Sequence, residues 1–89
     1  MSITTNIKNE YFETADLNLA CAISLFFPID SIENNPQNDR SVFLFSRKDG
    51  LDEIVQQYWQ NTLKVSPQQY AAQLRLVKTR LYESRRYQS

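Results

Sequence analysis

Ser41-Val42-Phe43-Leu44-Phe45-Ser46 is the stretch on which the fold turns. Aromatic and aliphatic residues alternate between two serines, and a β-branched, aromatic-rich run of this length reads as a strand. Successive side chains of a strand point to opposite faces, so Phe43 and Phe45 share one face and Val42 and Leu44 the other. Both faces are therefore expected to want cover, helices on at least one side and another surface on the other. Ahead of it, Asn34-Asn35-Pro36-Gln37-Asn38-Asp39 gathers turn formers, and Ile29 to about Glu33 reads as a partner strand. Together they make a β-hairpin with a long polar loop. Two strands are rarely stable alone, so the hairpin needs Tyr11-Phe12, Leu63-Val65 or a second molecule beside it.

Helices flank the hairpin. Thr14 reads as the N-cap of the first, with Asp16 favouring the helix dipole from the first turn. Leu19, Ala22, Ile23 and Phe26 follow the helical i, i+3, i+4, i+7 spacing, and Pro28 stops the helix after about Phe26. Asp49 is placed to cap the second helix, whose Leu51, Ile54, Val55, Tyr58 and Trp59 form an apolar stripe. Ser66-Pro67-Gln68-Gln69 is a helix start, with Ser66 as cap, Pro67 in the first turn and Gln69 closing a capping box. The third helix then runs to about Glu83, with Tyr70, Leu74, Val77 and Leu81 on one face. The pattern predicts a single small α+β domain over residues 11–86, ordered helix, β-hairpin, helix, helix, the helices packed on a short antiparallel sheet. Residues 1–10 read as a flexible leader. The expected core is Leu19, Ile23, Phe26, Val42, Phe43, Leu44, Phe45, Ile54, Val55, Tyr58, Leu74, Val77 and Leu81.

Composition removes whole classes of function. The chain has 89 residues and no His, which deletes the commonest general base and metal ligand. A single glycine, Gly50, cannot build a Gly-rich phosphate loop. Cys21 is the one cysteine and lies in an apolar run, so it reads as an inert buried thiol of a reducing compartment. Asp49, Asp52 and Glu53 lack the alternation of a calcium loop and suit helix capping instead. Neither a metal nor a cofactor is expected, and the reading is of a protein that is not an enzyme. Leu17 to Phe27 is shorter than the roughly 20 apolar residues that cross a bilayer, and no secretory signal is visible. A cytoplasmic location without membrane contact is the expectation.

Ten basic and ten acidic residues cancel, yet they are not mixed along the chain. Up to Leu63 there are nine acids and four bases, a balance of −5; from Lys64 onward six bases face Glu83 alone, a balance of +5. At about 100° per residue, Arg75, Lys78, Tyr82, Arg85 and Arg86 gather on one side of the third helix, beside its apolar stripe, while Arg80 points elsewhere. A basic face carrying a tyrosine suits nucleic acid, the cations meeting phosphates and the ring stacking on a base. It equally suits an acidic protein partner, and a solvated face or pairing with the chain's own acids would account for it without any partner. Tyr58, Trp59 and Tyr70 fit a ligand pocket, although their helical spacing fits core packing better. If strand 41–46 lay at a sheet edge, it would offer a homodimer contact by strand addition, as would the aromatic helix faces.

Tyr11-Phe12-Glu13-Thr14 before an Ala/Leu helix, Val42-Phe43-Leu44-Phe45, Leu51 through Trp59, and Leu63-Lys64-Val65-Ser66-Pro67 followed by Tyr70, Leu74, Lys78, Arg80, Leu81 and Tyr82 form a recurring pattern. It resembles a family of short bacterial and phage proteins classed as a domain of unknown function, over about Tyr11 to Tyr82. Phe26-Phe27-Pro28 departs from that pattern, which has a Gly-containing turn there. The resemblance implies a small α+β domain and carries no activity or catalytic residue.

Overall fold

A computed structural model describes residues 10–35, 37–38 and 40–86. Its elements are β1 (Tyr11–Thr14), α1 (Leu17–Ser24), β2 (Ser31–Asn35), β3 (Arg40–Ser46), α2 (Leu51–Trp59) and α3 (Pro67–Arg86). Apart from Glu10, the leader read over residues 1–10 lies outside the described residues, as do Pro36 and Asp39 of the hairpin loop.

The strand that decides the fold is the central one. The antiparallel sheet has the order β1-β3-β2, with Phe12 opposite Phe45, Thr14 opposite Phe43 and Ile32 opposite Phe43 on the other side. The Arg47 amide donates to the Glu10 carbonyl at 2.8 Å, carrying the β1 edge one step further. Because both sides of β3 are occupied, strand addition at 41–46 is ruled out, and β1 and β2 are the edges.

Alternation along β3 sorts its residues as expected: Ser41, Phe43 and Phe45 are buried, while Val42 and Leu44 are half-buried. Phe43 and Phe45 meet Leu19, Ala20 and Ile23 of α1, Ile29, Leu51 of α2, and Val77 and Leu81 of α3 in one core. Burial of each such large apolar side chain stabilises the fold by roughly 1.5–3 kcal/mol. α1 packs against α2 and α3, and α3 also lies on β2, which makes a two-layer domain. The second covering surface expected over Val42 and Leu44 is absent among the described residues, and both stay half-buried.

Local chemistry moved the starts of two helices. Asp16, not Thr14, caps α1: its carboxylate accepts from the amides of Asn18 at 2.9 Å and Leu19 at 3.2 Å. Thr14 is held in the β1 ladder, and its hydroxyl accepts from the Asp16 amide at 3.0 Å. Gly50, not Asp49, stands at the start of α2, with φ of 95° and no side-chain cap. A left-handed residue is what turns β3 into that helix, and glycine adopts it without a Cβ penalty. Ser66 does cap α3, accepting from the Gln69 amide at 3.4 Å.

α1 ends its regular turns at Ser24, whose hydroxyl donates back to the Cys21 carbonyl at 2.7 Å. The chain then tightens through Leu25 to Phe27 ahead of Pro28, and Phe26, expected in the core, turns outward to 49% exposure. Beyond the last regular turn, its helical spacing no longer dictates its direction. Trp59, the final residue of α2, lies at the margin of its apolar stripe, about 80° round from Leu51 at 100° per residue, and is 63% exposed. None of the helices among the described residues is long and apolar enough to cross a membrane.

Candidate functional site

α3 is 20 residues long and buries a narrow stripe, Val77 and Leu81, flanked by half-buried Tyr70, Gln73, Leu74 and Ser84. That leaves most of its circumference in solvent. Arg75, Lys78, Tyr82, Arg85 and Arg86 are all exposed, so the structure places the five residues singled out in the sequence on one accessible helix surface. From Arg75 to Arg86 the helix rises about 16 Å at 1.5 Å per residue.

Among the described residues, the acids of the first two-thirds of the chain do not reach Arg75 or Lys78 of this face. Among the described residues, no carboxylate lies within 4 Å of Arg75, Lys78 or Arg80, whereas Arg47 pairs with Asp52 at 2.6 Å within the acidic portion itself. The Arg47 guanidinium also lies over the Phe12 ring, 5.7 Å from its centroid. Tyr82 is 56% exposed, and no described ring stacks on it.

Arg85 is held by a chain of hydrogen bonds. Its Nε donates to the Ser41 hydroxyl at 3.2 Å, that hydroxyl donates to Asn34 Oδ1, Asn34 Nδ2 donates to the Ser84 hydroxyl at 3.2 Å, and Ser84 donates to the Leu81 carbonyl at 2.7 Å. This chain of bonds fastens the C-terminal turns of α3 to β2 and β3, and thereby sets the height of the basic face above the sheet. Sequence reading missed Asn34, Ser41 and Ser84. The available signal was Ser41 itself, a polar residue at the same alternating position as Phe43 and Phe45, since a hydroxyl placed inward must find a partner.

The aromatic cluster separates. Tyr58 and Trp59 meet edge to face, 5.1 Å between centroids, with Trp59 directed to solvent. Tyr58 and Tyr70 instead line a cavity of about 350 Å³ with Ala22, Asn61, Leu63 and Val65. The Tyr70 hydroxyl donates to the Asn18 carbonyl at 3.3 Å, and burial first, then the neighbouring Cys21 and Tyr58, push its phenol up to about 12. Burial also pushes the Tyr58 phenol and the Cys21 thiol up, and the thiol contacts the Tyr70 carbonyl at 3.7 Å. A thiol held protonated is a poor nucleophile, in keeping with packing as the role of Cys21. Among the described residues, no three His, Cys, Asp or Glu side chains group as metal ligands.

Comparison with curated proteins and with solved structures finds no match. A family model does match, over residues 9–83, and so takes in every element from β1 to the first four turns of α3 together with Arg75, Lys78 and Tyr82. The chain belongs to that family, DUF5659, a domain of unknown function.

Proposed function

We propose that this domain is a non-enzymatic binding module that holds nucleic acid on the exposed face of α3. The observation that carries the reading is the state of Arg75 and Lys78, exposed and without a carboxylate in reach among the described residues, on the same helix face as the open ring of Tyr82. Cations already spent on intramolecular pairs gain little from a phosphate, whereas solvated ones release counterions from the nucleic acid when they bind. Tyr82 adds a flat surface for a base or sugar between the Lys78 and Arg85 positions. Arg85, fastened to Ser41, fixes one end of the face.

Fluorescence anisotropy with labelled DNA and RNA oligonucleotides, single-stranded and duplex, tests this. Binding that weakens steadily with added salt and weakens again in Tyr82→Ala supports the reading. Failure to bind any of the oligonucleotides at low salt removes it; in that event binding to a polyglutamate peptide would assign the face to an acidic protein partner.

A further inference from the structure

We infer that the domain forms a two-fold homodimer through the free edge of β2 and the adjoining flank of α3. β2 pairs with β3 on one side only, and among the described residues no strand occupies its other side. An edge of this kind presents unpaired amide and carbonyl groups, a template for another strand. Ile32 of this strand lines a groove of about 260 Å³ with Arg80, Glu83 and Ser84 of α3. The groove adjoins a second one of similar size, walled by Pro28, Ile29, Leu76 and Val77, and Arg80 lines both. Leu76 is 60% exposed there. This flank is separate from the face proposed for nucleic acid, since Arg80 points away from Arg75 and Lys78.

Charge decides which occupant fits. Arg80 and Glu83 are three residues apart and so lie on one stripe, next to Ile32. A two-fold axis beside Ile32 runs β2 antiparallel to β2 of a second copy and reverses α3 against its mate. That operation sets Arg80 opposite Glu83 of the second copy and Glu83 opposite its Arg80, while Ile32 meets its own counterpart. The seam is thus self-complementary in backbone hydrogen bonds, charge and apolar contact, which is the requirement of a closed isologous contact. It also continues two three-stranded sheets into one of six and relieves the marginal stability of a short sheet. Both basic faces then lie on the helix-bearing side of the assembly.

Light scattering after size exclusion, on protein freed of nucleic acid by nuclease and a high-salt wash, reads the outcome over a range from about 1 to about 300 µM. The expected result is a mass rising toward twice 10.5 kDa. Arg80→Glu and Glu83→Arg, each placing like charges across the seam, raise the dissociation constant about tenfold or more, and the double exchange restores it. Circular dichroism confirms that each variant is folded. A mass that stays at one chain throughout overturns the inference, as does a dimer that the single variants leave untouched or that the double exchange fails to rescue.

Discussion

Reversing two charges, Arg75→Glu with Lys78→Glu, tests the basic face quantitatively. Each phosphate contact contributes a slope of about −0.9 to a plot of log K against log salt on duplex, or about −0.7 on single strand. Removing two contacts flattens the plot by about 1.8 or 1.4, and at about 0.1 M salt weakens binding about 60-fold or 25-fold respectively. Both side chains are exposed and hold no carboxylate within 4 Å among the described residues, so the melting temperature stays near that of the unaltered protein. Reversing Arg40 and Lys48 instead changes the net charge equally but touches exposed residues outside α3. That control is expected to keep most of the salt slope. Anisotropy titrations of the two double variants across a salt series provide the comparison. An unchanged slope in the α3 variant, or the same loss in both variants, refutes the assignment: the first shows that these cations meet no phosphate, the second that only overall charge matters.

Three further outcomes follow from the local structure. Asp16→Ala removes the acceptor of two amides at the start of α1 and costs about 0.5–2 kcal/mol, seen as a lower urea midpoint, whereas Asp49→Ala leaves that midpoint in place. Gly50→Ala costs about 1–2 kcal/mol in the same assay; the added Cβ would meet Phe27 Cζ at an ordinary 3.6 Å, so the penalty comes from the φ of 95°. The Tyr70 phenol titrates near 12 when folded against 10 in the open chain, so its stabilising share is whole below pH 10 and is lost as pH rises to about 12. Thermal melts of Tyr70→Phe should therefore fall less steeply over that window than those of the unaltered protein; parallel curves would contradict the burial of this hydroxyl.

Periodicity made much of the fold legible. The alternation of 41–46 and the stripe beginning at Leu51 report which side of an element is apolar, and a strand or helix with one apolar side has few ways to hide it. Phe43, Phe45, Leu19, Ile23, Val77 and Leu81 are buried for that reason. Element ends were less legible, because a helix terminus is chosen among neighbouring polar residues by competition. Thr14 was taken by the β1 ladder, which left the cap to Asp16, and the turn into α2 demanded the one residue free of a Cβ. Phe26 and Trp59 are core residue types, but Phe26 lies beyond the last regular turn of α1, where helical spacing has no authority, and Trp59 lies at the margin of the α2 stripe.

For the candidate site, the sequence was enough to cluster the cations on one side of α3 and to exclude catalysis by histidine or by a glycine-rich phosphate loop. It could not determine whether those cations were already paired, since acids distant in the chain meet or miss them only through folding. The tertiary structure decided that: α3 lies over β2 and α1, with Arg75 and Lys78 beyond the reach of the described carboxylates, and Arg85 tied to Ser41. It likewise decided that 41–46 is a central strand, because sheet order is set by which strand finds a neighbour on each side, and period-two alternation is the same at the centre and at the edge.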